Sequence, residues 1–159
     1  TIKAFKIFTK YHKDYKLVIV GHGADKDKLK KLIKKLNLKN SIIIKDWQSN
    51  MSKYYSTSKL LVFPSLYEGL PNTLIDALNY SLPCITTKCS GAEDILSKNY
   101  NYFVQHDDTK KLGVAMSDAI LNYNAIIDST KKQHTKLKRF LVPNQVNKYL
   151  KFLTTILNK

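Results

Sequence analysis

The chain has 159 residues, 43% of them hydrophobic, which suffices for one good core and so for one compact domain spanning 1–159. Basic residues outnumber acidic ones 27 to 12, a formal charge of +15, and all of them except Arg139 are lysine, so the planar forks that read bases and clamp phosphates are nearly absent. The two cysteines lack CxxC spacing, and neither a leader peptide nor an apolar run of membrane length is evident, so a reducing cytoplasm is expected rather than secretion or a structural zinc.

Apolar runs and helical periodicities alternate along the chain. Ile2, Phe5 and Phe8 read as a helix that leads into a short β-branched strand, KLVIV (16–20). Leu29, Leu32, Ile33 and Leu36 place a helix over 25–38, with Asp25 as candidate N-cap. A strand over 41–45, a short helix over 49–58 and a strand over 59–65 stopped by Pro64 come next. Pro71 stands near N1 of a helix over 71–81, where its missing N–H does least harm. A strand over 82–87 with a buried Cys84, a short helix over 91–97 and a strand over 101–105 complete the alternation. Two longer helical stretches, around 107–139 and 144–157, are interrupted near Pro143, the C-terminal helices proper starting from about 124. Near-continuous apolar strands alternating with helices predict an α/β domain, a doubly wound, Rossmann-like parallel sheet covered on both faces. Such a domain would normally open on a strand, so the N-terminal strand is expected to be missing ahead of the first helix.

Ligands of open α/β sheets bind beyond the carboxyl ends of the strands, where three segments qualify. Gly21, His22 and Gly23 follow the first strand and precede a helix N-terminus, but G-x-G alone fits a tight turn equally well. Glu68 and Gly69 stand just ahead of the 71–81 helix, whose first N–H groups lack intrahelical partners. Phosphate-binding amides beside an acid that accepts hydroxyl hydrogen bonds would suit a sugar phosphate or nucleotide. Asp76, more than a turn further on, would reach the hydroxyls of a ribose; the alternative is that Glu68 caps the helix and Asp76 faces water. In the third segment, 89–94, Gly91 would give backbone access, while Glu93 and Asp94 favour the start of a helix. Trp47 would flank a nucleobase or simply pack, and Ser65 lacks the G-x-S-x-G setting of a nucleophile.

The block KLLVFPSLYEGLPNTLIDALNYSLPCITTKCSGAEDIL (59–96) resembles the signature region of the retaining family 4 glycosyltransferases of the GT-B fold, and 15–47 resembles the segment that precedes it there. The likeness covers about residues 1–125 and implies the C-terminal, donor-binding domain of a two-domain enzyme. The family's E-x7-E acids fall on Glu68, near the donor sugar, and on Asp76, one methylene shorter than the usual ribose-binding glutamate. Gly69, Leu70, Pro71, Asn72 and Thr73 match the loop that meets sugar and diphosphate, although proline at 71 removes one backbone donor. The stretch from Lys45 to Trp47 matches the nucleobase wall. The family's basic pair would fall before Thr1, and the acceptor-binding domain is not in this sequence. Alone, the domain is therefore expected to bind donor weakly and catalyse nothing.

The resemblance implies retaining transfer of a sugar from a nucleotide-sugar to the hydroxyl of an acceptor glycan or lipid-linked glycan, in polysaccharide, lipopolysaccharide or glycolipid synthesis. It implies no cofactor and no metal. The expected setting is cytoplasmic, at the inner membrane face, where surface lysines would meet anionic lipid. Two alternatives remain open on the residues alone: a basic nucleic-acid-binding module, which the lack of arginine and of RNP, KH or helix-turn-helix patterns disfavours, and a non-catalytic Rossmann-like scaffold.

Overall fold

A computed structural model, which describes residues 1–157, shows the expected alternation from the first element onward. In chain order these are α1 (Ile2–Phe8), β1 (Leu17–Val20), α2 (Lys26–Lys35), β2 (Ile42–Lys45), α3 (Ser52–Thr57), β3 (Leu61–Phe63) and α4 (Asn72–Asn79). Then come β4 (Cys84–Thr87), α5 (Ser90–Leu96), β5 (Phe103–Val104), α6 (Thr109–Leu121), α7 (Tyr123–His134), a 3-10 turn (Thr135–Phe140) and α8 (Val142–Leu157).

Every strand pairing is parallel, as the short apolar runs and helical crossovers require. β4 lies between β3 and β5, with Phe63 opposite Thr86 and Thr87 opposite Val104, and all four of its residues are buried. Around it pack Leu74, Ala77 and Leu78 of α4, Ala92, Ile95 and Leu96 of α5, and Met116 of α6. Two helices end in the same way: Asn37 and Ser81 take positive φ (56° and 54°), and the next residues, Leu38 and Leu82, donate back to Ile33 O and Ala77 O. Each of those leucines is buried, so the cap both satisfies a carbonyl and anchors the chain for the next strand.

Several local expectations need correction. Asp25 occupies the N-cap position of α2, but its carboxylate turns to Lys28 Nζ (2.7 Å) and caps no amide. Pro71 is the N-cap residue of α4 rather than its first helical residue. The C-terminal helices break at Asn122 and at Leu141, whereas Pro143 sits in the first turn of α8, where a missing N–H costs nothing.

The strands also divide into two sets, β1–β2 and β3–β4–β5. Leu17 and Gly21 donate to β2, so strand alternation turns the amides of Val18 and Val20 the other way. Leu61 donates to the carbonyl of Pro83, just ahead of β4, which leaves the Val62 amide on the opposite edge. These two edges line one cavity of about 1100 Å³, whose lining also includes Thr1 and Phe5. Among the described residues no strand bridges the two edges. In amide exchange, Val18 and Val62 are expected to lose protection at least ~100-fold sooner than Thr86, whose N–H is bonded to Tyr102 O. Equal protection at the three sites would mean the two edges are closed in solution.

α1 packs on α6 at Gly113, where a Cβ would stand 2.8 Å from Ala4 O and 2.9 Å from Ile7 Cβ. Gly113→Ala is therefore expected to push these helices apart and cost about 1–3 kcal/mol in urea unfolding, despite alanine's better helix propensity. A stabilised variant would show that α1 yields freely.

Candidate functional site

The expected site residues lie in the loops beyond the carboxyl ends of the strands and, for Asn72, Thr73, Asp76 and Gly91, in the helices α4 and α5 that follow them. Gly21 leaves β1 at φ 152°, a conformation other residues rarely adopt, and its N–H donates to Lys45 O (3.1 Å) at the end of β2. His22 and Gly23 are exposed, and the Gly23 carbonyl accepts from Lys26 N (3.3 Å) to start α2. Lys26 Nζ then pairs with Asp46 (2.5 Å), joining this loop to the one after β2. The Lys26 hydrogen bond and charge hold the Asp46 carboxyl below its ordinary value, with Lys30 and His22 contributing less. Both partners are open to solvent, so the pair orders the loops without adding much stability.

The loop after β3 is held more firmly. Pro64 ends the ladder, and two buried hydroxyls of β4 take over: Thr86 Oγ1 donates to Phe63 O (2.8 Å) and Thr87 Oγ1 to Ser65 O. The Ser65 hydroxyl in turn donates to Glu68 Oε1 (2.8 Å). Glu68 is half-buried and Gly69 exposed; a Cβ at Gly69 would meet nothing within 4 Å, so this face of the loop is open. Gly91 lies on the other side, buried, with its N–H donated to Glu68 O (3.2 Å). Because that N–H is committed, glycine at 91 provides room for the loop rather than a free backbone donor.

α4 starts directly after this loop. Its first intrahelical bond is Leu74 N to Pro71 O (2.9 Å), so the amides of Asn72 and Thr73 have no helical acceptor and face outward from the helix end. Leu70 is 47% exposed, and Asn72 is exposed as well. Asp76, one turn on, is exposed and lies close enough to the Tyr55 phenol to matter: burial first, then the Asp76 charge, raises that phenol. Among the described residues neither Glu68 nor Asp76 has a cationic partner within an ion-pair distance.

Trp47 (62% exposed) and Thr73 line the cavity between β1 and β3, together with Val20 and Phe63. The cavity therefore joins the segment after β2 to the start of α4, while Gly21, His22, Glu68 and Asp76 lie outside its lining. The third segment is structural at its acidic end, where Glu93 sits in the first turn of α5 and pairs with Lys88 (3.5 Å). Sequence reasoning missed the clips made by Ser65, Thr86 and Thr87; their partners are carbonyls and a carboxylate, and no residue pattern records those.

Comparison with known proteins bears on the same region. The family model described as "Glycosyl transferases group 1" matches residues 1–137. A glycosyltransferase of Methanocaldococcus jannaschii is 45% identical over 101 residues, 63% of this chain and 25% of the relative. The amylovoran biosynthesis glycosyltransferase AmsD of Erwinia amylovora is 35% identical over 115 residues, 72% of this chain and 33% of its own length. The chain thus spans a quarter to a third of these relatives. Among solved structures, a point mutant of Staphylococcus aureus TarM, in complex with UDP and other ligands, superposes with a TM-score of 0.85 over 94% of this chain and 31% of its own, at 22% identity. Anabaena HepE in complex with UDP and glucose gives 0.81 over 97% of this chain and 44% of its own, at 16% identity. No described helix is long and apolar enough to cross a membrane. The chain belongs to the glycosyl transferases group 1 family and has the fold of the GT-B C-terminal domain.

Proposed function

We propose that this domain holds a nucleoside diphosphate sugar, and that the whole protein transfers the sugar to an acceptor hydroxyl with retention at the anomeric carbon. One observation carries the reading. A carboxylate with one oxygen fixed by Ser65 stands four residues ahead of a helix whose first two amides are free of intrahelical acceptors. A carboxylate accepts hydrogen bonds from hydroxyls, and helix-end amides donate to phosphate oxygens. A sugar joined to a diphosphate presents those two chemistries side by side.

In this arrangement Glu68 accepts from the sugar hydroxyls, and Asn72 and Thr73 donate to the diphosphate. Gly69 lets the loop approach closely, with Leu70 and Pro71 shaping its far end. Asp76 takes the ribose hydroxyls, and Trp47 borders the base. Gly21, His22 and Gly23 bound the opposite side of the crevice, and Gly91 supports Glu68 from beneath. When the sugar–diphosphate bond breaks, charge develops on the departing diphosphate, and donors already aimed at it stabilise that charge without reorganising. UDP in the TarM and HepE structures supports uracil as the base.

The acceptor is a surface or lipid-linked glycan, in line with the amylovoran and lipopolysaccharide glycosyltransferases among the relatives. The enzyme works at the cytoplasmic membrane face, where the +15 charge of this chain meets anionic lipid.

Calorimetric titration of the full chain with UDP, GDP, ADP and their glucose conjugates tests the reading. UDP and UDP-glucose are expected to bind best. Asp76→Asn should weaken both about tenfold, and Glu68→Gln should weaken only the sugar conjugate by a similar factor. Equal binding of all three nucleotides, or none, would defeat the assignment, as would tight DNA binding that collapses between 50 and about 200 mM salt.

A further inference from the structure

A glutamate on an open loop has three rotatable side-chain bonds and spreads over several rotamers unless something holds it. Glu68 is held by two hydrogen bonds, one of them backed by a third. Ser65 Oγ lies 2.8 Å from Glu68 Oε1 and 3.3 Å from Tyr67 O. A hydroxyl has one proton to give, and the shorter, charged acceptor receives it. Ser65 is itself fixed, because its carbonyl accepts from the buried Thr87 hydroxyl at the end of β4. From beneath, Gly91 N–H binds Glu68 O (3.2 Å). A Cβ at Gly91 would lie 2.4 Å from Gly69 O and 2.7 Å from Glu68 O, so no other residue lets the loop sit this low.

We propose that Ser65 is a positioning residue for Glu68: backed by Thr87, and with Gly91 setting the height of the loop, it fixes Oε1 so that Oε2 meets the ligand. The proposal deepens the reading of Glu68 as the sugar-hydroxyl acceptor and rests on it. Ser65 touches no substrate. It acts through the carboxylate, and its effect belongs to the sugar half of the donor rather than to the nucleotide.

The test uses the full chain as its gene encodes it, in wild-type, Ser65→Ala, Ser65→Thr and Glu68→Gln forms, titrated with UDP and with UDP-glucose. In Ser65→Ala the UDP affinity is expected to stay within about twofold of wild type. The affinity added by the glucose should fall about tenfold, as in Glu68→Gln, and Ser65→Thr should restore it. A merely structural serine would lower both affinities together and would not be rescued selectively. An unchanged sugar increment in Ser65→Ala, or no rescue by threonine, overturns the proposal. If the wild-type protein shows no sugar increment at all, the donor reading fails for UDP-glucose, and crystal structures of wild type and Ser65→Ala decide the positioning separately. Glu68 spread over several rotamers in the variant supports it; an unchanged single rotamer overturns it.

Discussion

The structure turns on a problem of polar burial at β4. Thr86 and Thr87 are almost wholly excluded from water, and a buried hydroxyl without a partner costs about 1–3 kcal/mol. The acceptors within reach are carbonyls at the end of β3, where Pro64 has no N–H to continue a ladder. Pairing satisfies both strands at once and fixes the direction in which the chain leaves β3. The loop with Glu68 and the start of α4, next along the chain, inherit that direction. A core requirement thereby places a surface carboxylate.

The two strand sets are organised by interactions of different strength. Around β3–β4–β5 the partners are buried: the threonine clips, the Tyr100 hydroxyl on Cys84 O (2.7 Å) and the seat of Glu68 on Gly91. Around β1–β2 the loop ties are solvent-exposed, above all Lys26 with Asp46, and exposed pairs of this kind contribute about 0–1 kcal/mol. The β1 residues are correspondingly only half-buried, with Val18 exposed, whereas β4 is buried throughout. In the proposed site, the side that receives the sugar and diphosphate is therefore rigid. The side that borders the base is adjustable, and a ligand spanning both would order it.

Much of this was legible in the residues because it depends on periodicity and on motif spacing. The apolar runs at 16–20, 41–45, 59–65 and 82–87 contain β1 to β4, since strands covered by helices must be apolar on both faces. The entry to α4 was legible from Pro71 and the amphipathic stretch after it, whereas Glu68 and Gly69 read equally well as a cap and a turn until the likeness to the family 4 signature singled them out. The features that escaped depend on distances across the fold. Ser65 is three residues from Glu68, but their hydrogen bond requires a loop path that Thr87 and Gly91 impose from 22 and 23 residues further along the chain from Ser65 and Glu68 respectively. Gly91 looked like backbone access when considered alone; its role emerges only once the Glu68–Gly69 backbone is laid across it. Asp25 failed as a cap because Lys28 offered its carboxylate a charge instead of an amide.

The shorter acid at position 76 fits the same division of labour. An aspartate reaches less far than a glutamate, but it also has fewer rotamers to lose when a ligand orders it. Asp76 is backed by α3, where burial and then the Asp76 charge raise the Tyr55 phenol above its ordinary value. Tyr55 is itself buried, with the tilted ring of Tyr80 at 5.6 Å between centroids, so the surface behind the carboxylate is firm. Glu68 is aimed by hydrogen bonds, and Asp76 by its place on a helix with a packed neighbour. Two acids eight positions apart are thus oriented by separate means, so in the proposed site a change in the sugar bound by Glu68 would leave the contact proposed for Asp76 undisturbed.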